Sequence, residues 1–286
     1  MKLGLLVSGN LGFTVLKLID NLYDIIFVMT NKNSVQILDY CSNKKISYFV
    51  GNPRNNKSRS FIQNKDIDVL MSVNYLFLID EALINHPKIL AFNIHGSLLP
   101  KYRGRTPHVW AIINGEIETG ITAHLIDKEC DTGDIIYQEK ILISNKETGA
   151  DILNKFNIRY PKIIINILEN INNDNINRIK QNNNSSSYFP KRTPDDGKIN
   201  LNLNSKQIYN WVRAQSFPYP GAYIFYKSKK VIIDQVKIVD TFFDKNLVNG
   251  TITRTNPLMI KVKDGVLEIS KIRNFQNIFK KNSILN

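Results

Sequence analysis

Residues 90–107 read LAFNIHGSLLPKYRGRTP, and the class of fold follows from how this stretch begins. Leu90 to His95 form a short apolar run, which predicts a buried strand that ends at Gly96. Asn93 and His95 are two residues apart, so they project from the same face of that strand. Because ligands bind at the carboxyl ends of strands in open α/β sheets, this pair marks a candidate functional site.

A second polar turn, residues 130–134, reads CDTGD and lies between two strand-like segments. Asp131 of this turn could join Asn93 and His95, so that one reacting atom meets an amide, an imidazole and a carboxylate. Each residue also has a structural interpretation, because a strand-end histidine often only forms a hydrogen bond and Asp-Thr-Gly-Asp is a common turn composition. The residue pattern by itself leaves both interpretations open.

Outward from this stretch, the chain alternates between apolar runs and segments with helical character. Such alternation is typical of βαβ units and predicts a mostly parallel sheet. The predicted strands are 2–8, 25–30, 47–50, 68–73 and 90–95, and the predicted helices between them are 12–22, 34–42 and 79–86.

The next predicted elements are a helix that Pro107 opens and that runs to Asn114, and a strand over 120–126. In that strand Thr122 and His124 lie on the side opposite the apolar residues. We further predict a strand over 135–143 and a helix over 148–169 with a break near Pro161.

Residues 172–187 are rich in Asn and Ser and predict a linker or exposed loop, so we place the domains at 1–188 and 189–286. The second domain is predicted to begin with a helix over 205–214. Several short strands with turn signals follow and predict a small β-rich barrel or sandwich. These strands are 222–226, 230–239, 248–253, 258–263 and 266–272.

Composition indicates a globular protein, since hydrophobic residues make up 43% of the 286 residues. No apolar run approaches the roughly 18 residues of a membrane span. The start, MKLGLLVSGN, predicts a first strand better than a signal peptide. The two cysteines, Cys41 and Cys130, have neither a disulfide framework nor metal-type spacing, so we expect no metal and a cytoplasmic location.

The net charge of +13 is concentrated in residues 191–286, where 17 Lys and Arg face 7 Asp and Glu. Such a basic region could bind RNA, could attract a small polyanion such as a nucleotide diphosphate, or could be a lysine-rich solvated surface. Charge alone does not choose among these. Ser8 to Gly12, SGNLG, follow the first strand but do not match the glycine pattern of dinucleotide-binding folds.

The motif Asn-x-His-x-Ser-Leu-Leu-Pro, followed by Asp-Thr-Gly-Asp, resembles the core of the folate-dependent formyltransferases. This family includes methionyl-tRNA formyltransferase, glycinamide ribonucleotide transformylase and the nucleotide-sugar N-formyltransferases. The resemblance implies an α/β fold: a Rossmann-like, mostly parallel sheet in the formyltransferase domain, with a small β-rich (OB-like) C-terminal domain. It also implies N10-formyltetrahydrofolate as co-substrate.

The resemblance implies that Asn93, His95 and Asp131 are the catalytic set. In this chemistry a primary amine attacks the formyl carbon, so a proton must be removed and a developing oxyanion stabilised. Histidine as a residue type ordinarily ionises near neutrality, so His95 suits the general base. The Asn93 amide suits the oxyanion, a role typically worth a few kcal/mol. Asp131 would orient His95 and favour its protonated form.

Ligand-binding residues follow from the same resemblance and from guanidinium chemistry. Folate-binding positions are expected at Asn74, Tyr75, Leu76, Phe77, Leu99, Asp127 and Cys130. Substrate-binding positions are expected at Ser8, Gly9, Asn10, Arg103, Arg105, Lys191, Arg213 and Tyr219. Arg103 and Arg105 directly follow the catalytic strand, and guanidinium forks bind phosphate bidentately, so we expect them to contact a diphosphate.

The segments KYRGR (101–105) and PYPGA (218–222) most resemble enzymes that formylate 4-amino sugars carried on UDP or dTDP. The resemblance implies a dTDP-4-amino-4,6-dideoxyglucose substrate and a role in surface glycan (O-antigen, lipopolysaccharide) synthesis. A methionyl-tRNA formyltransferase and a non-catalytic nucleotide-sugar or RNA binder are the alternatives. Neither a nucleic acid nor a membrane is expected as partner, and a homodimer stays open.

Overall fold

The computed structural model describes residues 1–273, 275 and 278–286, which group into two compact units. The first unit comprises Met1–Gly104, Gly120–Ile141 and Lys155–Phe189. The second comprises Arg105–Thr119, Leu142–Asn154 and Pro190–Asn286. Two segments from the first 188 residues therefore group with the C-terminal part. The functional division into 1–188 and 189–286 stays a prediction.

A seven-stranded sheet forms the centre of the first unit. Its strands are β1 (Lys2–Val7), β2 (Asp24–Thr30), β3 (Tyr48–Val50), β4 (Val69–Val73), β5 (Leu90–His95), β7 (Glu118–Leu125) and β8 (Ile135–Leu142); a short pair, β6 (Arg103–Gly104) and β9 (Tyr188–Phe189), lies apart from the sheet. The order in the sheet is β3-β2-β1-β4-β5-β7-β8. The strand pairs β1–β2, β2–β3, β1–β4 and β4–β5 are parallel, and β5–β7 is antiparallel. The predicted mostly parallel sheet is confirmed.

The inner strands of this sheet are apolar on both faces because helices cover parallel sheets on both sides. In β1, five of the six residues are buried. The helices are α1 (Gly9–Asp20), α2 (Val35–Lys44), α3 (Asn56–Ile62), α4 (Glu81–Ile84) and α6 (Gly149–Asn172), the last of which belongs to this unit from Lys155 onward. Side chains cap two of the shorter helices, since Asn55 accepts the Ser58 N–H and Asp80 accepts the Leu83 N–H.

Helix α6 continues through Pro161, so the predicted break at that residue is wrong. Proline removes one N–H donor and crowds the preceding turn, at a cost of about 3 kcal/mol. The apolar side chains Phe156, Ile164 and Leu168 along the same helix are buried, and their packing outweighs that cost. Within the described part of the chain, no helix combines the length and the apolar character that a membrane crossing needs.

The segment predicted as a linker over 172–187 belongs to the first unit instead. Residues 182–185 are exposed and include a 3₁₀ turn, Asn183–Ser185, but Gln181 is only 7% exposed. The segment then ends in β9, which pairs in parallel with β6. Polar composition predicted exposure, which residues 182–185 show, whereas the Gln181 side chain forms buried hydrogen bonds.

The second unit contains a five-stranded antiparallel sheet. Its strands are β10 (Ala222–Tyr226), β11 (Lys229–Val239), β12 (Ile252–Thr255), β13 (Leu258–Val262) and β14 (Gly265–Arg273), in the order β10-β11-β14-β13-β12. The helices of this unit are α5 (Pro107–Ile113) and α7 (Ser205–Ala214), and a 3₁₀ turn lies at Pro194–Gly197. The predicted β-rich domain is confirmed. The strand predicted from residue 248 starts at Ile252, because the Thr251 N–H closes a turn onto the Val248 carbonyl.

Helix α7 starts where its sequence predicts. Asn204 accepts the Gln207 backbone N–H, and the Gln207 side chain accepts the Asn204 N–H, so two unpaired donors of the first turn are satisfied. Its apolar face, with Ile208 and Val212, belongs to the core of the second unit together with residues of the sheet.

Candidate active site

Strand register brings three polar side chains together at the carboxyl end of β5. In the antiparallel pair β5–β7, Asn93 lies opposite His124 and His95 lies opposite Thr122. Residues directly opposite each other share one face of a sheet, so His124 joins the pair predicted from sequence. Its imidazole Nε2 lies 3.2 Å from the Asn93 Nδ2. His95 and His124 are buried, and Asn93 is half-buried.

Asp131 completes the group from the turn that follows β7. One carboxylate oxygen, Oδ2, lies 3.5 Å from the His95 Nδ1, and the other, Oδ1, lies 3.5 Å from the His124 Nε2. The Gly104 backbone N–H donates to Oδ2 at 2.8 Å. The structure therefore brings the three predicted catalytic residues into one cluster, with His124 as a fourth member.

Backbone carbonyls decide which imidazole nitrogens carry hydrogen. The His124 Nδ1 lies 2.8 Å from the Leu125 carbonyl, which only accepts, so Nδ1 donates and the lone pair of Nε2 accepts the Asn93 N–H. The His95 Nε2 likewise donates to the Tyr102 carbonyl at 2.7 Å. The lone pair of His95 is consequently at Nδ1, on the side of Asp131.

The Asp131 carboxylate stays ionised despite its burial. Burial alone would raise its pKa, but the positive charge that His95 and His124 carry when protonated, together with the Gly104 N–H, outweighs this effect and holds the pKa of Asp131 well below its usual range. A fixed negative charge therefore faces both imidazole rings.

The loop after β5 is attached to β7 and β8 by hydrogen bonds. The Thr122 hydroxyl donates to the Ser97 carbonyl at 2.6 Å and accepts the Leu99 N–H at 3.2 Å. The Gln138 amide donates to the Leu99 carbonyl at 2.9 Å. Leu99, a predicted folate-binding residue within this loop, is only 3% exposed.

The other predicted folate-binding residues lie in two loops of the first unit. Asn74 follows β4, has a φ of 53° and donates to the Ser8 carbonyl at 2.9 Å. Tyr75 and Phe77 are half-buried and form an edge-to-face pair with ring centroids 5.6 Å apart, and Leu76 between them is 45% exposed. Burial raises the pKa of the Tyr75 hydroxyl.

The second of these loops precedes Asp131. The Asp127 carboxylate accepts hydrogen bonds from the Thr132 hydroxyl and the Glu129 N–H, which closes the turn. Cys130 is exposed, and its thiol lies 3.4 Å from the Asp131 Oδ2.

Ser8, Gly9 and Asn10 lie at the start of α1, where the carboxyl end of β1 turns into the helix. The Gly9 N–H donates to the Ser34 hydroxyl at 3.0 Å. Ser8 is 1% exposed and its hydroxyl has no hydrogen-bond partner among the described residues, whereas Gly9 and Asn10 are exposed.

Arg103 was predicted from sequence to contact a diphosphate. It is 2% exposed, and its nitrogens donate to the side chains of Gln181, Asn183 and Tyr188 in the first unit. Arg105 is half-buried in the second unit.

Lys191, Arg213 and Tyr219, the remaining predicted substrate-binding residues, also lie in the second unit. Lys191 is exposed. Arg213 is buried, donates to Asn210 and to two backbone carbonyls, and burial lowers the pKa of its guanidinium. The Tyr219 hydroxyl lies 2.7 Å from the His108 Nε2, and burial raises its pKa to about 12.

Two residues of the cluster's surroundings were missed as site residues from sequence, His124 and Gln181. The signal for His124 was present, because it lies opposite the apolar side of its strand. For Gln181 no sequence pattern indicated a role in the site, because it lies in a segment rich in Asn and Ser. Residues 1–273, 275 and 278–286 contain no group of three or more His, Cys, Asp or Glu side chains that could hold a metal ion.

Comparison with known proteins assigns the family. The family described as "Formyl transferase" matches residues 5–168, and "Formyl transferase, C-terminal domain" matches residues 191–285. The chain is 36% identical over 290 residues to the bifunctional polymyxin resistance protein ArnA of Wigglesworthia glossinidia brevipalpis. That match covers 99% of this chain but 43% of ArnA, so the chain spans less than half of that relative.

Two solved structures are similar over nearly the whole chain. WlaRD, a sugar 3N-formyl transferase crystallised in the presence of dTDP and 5-N-formyl-THF, has a TM-score of 0.71 and 25% identity, covering 96% of this chain and 99% of WlaRD. The N-formyltransferase of Helicobacter canadensis, in complex with folinic acid and dTDP-3-aminofucose, has a TM-score of 0.72 and 25% identity. This match covers 96% of this chain and 100% of the Helicobacter canadensis chain. The chain belongs to the formyl transferase family.

Proposed function

We propose that this protein transfers a formyl group from N10-formyltetrahydrofolate to the primary amine of a nucleotide-linked amino sugar. The observation that carries the proposal is the cluster of Asn93, His95 and Asp131 at the carboxyl end of β5, with the His95 Nδ1 3.5 Å from the Asp131 Oδ2. Both similar solved structures contain a formylated folate and dTDP or a dTDP-linked sugar, which supports the same ligand classes here.

The side chains fit a formyl donor by their chemistry. Asn93 is half-buried and uses one of its two amide hydrogens on His124, so the second is available to a carbonyl oxygen. When bound, the formyl-folate supplies the one-carbon unit. The loops with Tyr75, Phe77 and Asp127 would hold the folate, the aromatic pair contacting its ring.

His95 would accept the proton that the attacking amine releases, at Nδ1, because Nε2 already donates to the Tyr102 carbonyl. It would return that proton to the departing N10 of the folate as the bond between N10 and the formyl carbon breaks. A proton at Nδ1 creates an imidazolium that faces the ionised Asp131, so the carboxylate stabilises the protonated base. Asn93 would donate to the oxygen on which negative charge develops. His124 would hold the Asn93 amide in the required orientation.

The specific substrate that we propose is dTDP-4-amino-4,6-dideoxyglucose. The formylated sugar would enter a surface glycan such as O-antigen, and the enzyme would be cytoplasmic. Ser8, Gly9, Asn10, Arg105, Lys191, Arg213 and Tyr219 remain the proposed substrate-binding residues. The competing substrates are dTDP-3-amino sugars, which the two similar structures favour, and methionyl-tRNA, for which the basic C-terminal part is the argument.

A substrate panel tests the proposal. Purified protein and N10-formyltetrahydrofolate are incubated separately with dTDP-4-amino, dTDP-3-amino and UDP-amino sugars and with methionyl-tRNA, and the N-formyl product is detected by mass spectrometry. We expect turnover of a dTDP-linked sugar with a KM that depends weakly on salt. Formylation of tRNA with a log–log salt slope of roughly −0.7 to −0.9 per contacted phosphate would overturn the sugar assignment.

A further inference from the structure

The Asp131 carboxylate is carried by a turn that needs support from outside. Asp131 has a φ of 59°, in the left-handed region that is uncommon for residues with a Cβ, Asp and Asn entering it more readily than the others. Two residues later, Gly133 lies so close to β7 that a Cβ would collide with the Leu125 carbonyl. A non-glycine residue keeps such a conformation only where its surroundings hold it.

Gln181 supplies that support through the backbone. Its side-chain Nε2 donates to the Asp131 carbonyl at 2.9 Å and to the Gly133 carbonyl at 2.7 Å. Both hydrogens of one buried amide therefore hold the two ends of the turn. Without them, two carbonyls at the base of the cluster would lose their donor.

Arg103 determines which way the Gln181 amide points. The Arg103 Nε and Nη2 donate to the Gln181 Oε1 at 3.2 and 2.7 Å. Because a guanidinium only donates, the oxygen of the amide must face Arg103 and its nitrogen must face the turn. Further bonds to the Asn183 Oδ1 at 2.8 Å and the Tyr188 hydroxyl at 2.9 Å keep Arg103 in place.

The strap, which we define as residues 181–189, also holds the other hydrogen-bond partner of His95. The Ser187 hydroxyl accepts the Tyr102 N–H at 2.9 Å, and the Phe189 ring stacks on the Tyr102 ring with centroids 4.8 Å apart. The Tyr102 carbonyl in turn accepts the His95 Nε2–H. Both sides of the His95 ring therefore depend on contacts with the strap.

We propose that Arg103 and Gln181 are a pair of positioning residues that hold the Asp131 carboxylate against His95. The catalytic meaning of this pair rests on the proposed function. In this proposal Arg103 is a positioning residue and not the phosphate ligand predicted from sequence. Its buried nitrogens donate to three neutral side chains of the strap, those of Gln181, Asn183 and Tyr188.

The kinetic test compares Gln181→Leu and Gln181→Glu with Asn184→Ala, an exposed residue of the same strap. Leucine has a similar size but lacks both N–H donors of the Gln181 amide. Glutamate keeps an oxygen for Arg103 but places its second carboxylate oxygen against the Asp131 and Gly133 carbonyls. We expect kcat to fall roughly 100-fold, since displacement of a catalytic group by about 1 Å has that effect. Both KM values should be unchanged, and the pH midpoint of kcat should move. Asn184→Ala should match the wild type.

A second measurement separates this proposal from the proposed function. NMR titration of the imidazole C–H signals in the full chain, without substrate, should show a changed His95 titration in Gln181→Leu and the wild-type titration in Asn184→Ala. If the wild type formylates no sugar, the proposed function fails while this titration still tests the pair. An unchanged pH profile and an unchanged titration in Gln181→Leu would overturn the pair.

Arg103→Lys provides a second variant in case Gln181→Leu does not fold. Lysine keeps the buried charge but loses the two-nitrogen contact that orients the amide. We expect a smaller fall in kcat and a change in the imidazole titration of the same sign. Loss of the folded state in every variant at 25 °C, judged by circular dichroism, would assign the pair to stability and would also overturn the proposal.

Discussion

In the first unit, the Asp131 carboxylate lies near the half-buried Asn93 amide at the end of β5. In the second unit, the guanidiniums of Arg213, which is buried, and Arg192, which is half-buried, contact fixed groups of the protein. Arg213 donates to Asn210 and backbone carbonyls, and Arg192 lies between the rings of Trp110 and Trp211, 4.8 and 4.7 Å from their centroids. Around Asp131 the contacts to the two imidazoles are longer, at 3.5 Å.

This contrast shows that a buried charge does not by itself mark a functional site. The hydrogen bonds and ring contacts that Arg213 and Arg192 make to these fixed groups contribute to packing and stability. The cluster at β5 keeps a lone pair on the His95 Nδ1 and a second hydrogen on Asn93. A general base needs such a lone pair to accept a proton, and an oxyanion needs such a hydrogen as its donor.

The largest effect is expected from the cluster itself. His95→Ala or Asn93→Ala should lower turnover at least about 100-fold, because a general base and an oxyanion donor act in the transition state. Binding of folinic acid, measured by calorimetry, should change little. Turnover within a few-fold of the wild type in both variants would remove these residues from the mechanism and erase the contrast between the two units.

The second prediction tests whether buried charge in the second unit serves stability alone. The buried Asp234 carboxylate accepts the Arg273 Nε–H at 3.0 Å and the Phe217 N–H at 3.1 Å. Asp234→Asn should lower the free energy of unfolding in urea by about 2 kcal/mol, because hydrogen bonds to a charged group are lost. Both KM values should be unchanged where the variant is folded.

A matched control for Asp234 is the exposed pair Lys237–Glu268, which has an N–O distance of 3.1 Å. Lys237→Ala should change the free energy of unfolding by roughly 0–1 kcal/mol, as is usual for exposed pairs. Equal losses in Asp234→Asn and Lys237→Ala would contradict the distinction between buried and exposed charge.

The third prediction concerns His124 as a positioning residue. His124→Phe keeps a ring but removes the acceptor for the Asn93 N–H, so kcat should fall about tenfold, which corresponds to about 1.4 kcal/mol. His124→Gln should recover much of the rate, because its amide oxygen can accept the same hydrogen. Steady-state kinetics decide the matter, and equal rates in the two variants would reduce His124 to a packing residue.

The smallest effect is expected from the pH dependence of stability. The pKa of Asp131 is lower in the folded protein than its ordinary value of 3.8, so its contribution is fully present above that value and is lost as the pH falls through the folded pKa. The wild type should exceed Asp131→Asn by about 1 kcal/mol in free energy of unfolding at pH 7. Urea titrations from pH 7 to pH 3 should show the difference shrinking below about pH 4. A difference that grows in acid would contradict this sign.

The class of fold could be predicted because its signals are local. The apolar runs that form β1, β4 and β5 are strands buried on both faces, and each short strand of the second unit is bounded by its own turn residues. The break predicted at Pro161 failed because a local rule about proline cannot weigh the apolar face of the rest of the helix.

The members of the cluster were readable from residue type and spacing, since Asn93 and His95 share one strand face and Asp131 lies in a turn of recognisable composition. The residues that hold them in place, His124 and Gln181, could not be predicted in this way. His124 joins Asn93 through antiparallel register, and Gln181 reaches Asp131 across 50 residues of chain. Periodicity reports which face a side chain takes, whereas register and long-range hydrogen bonds depend on how separate strands and loops pack, which arises only when the chain is folded.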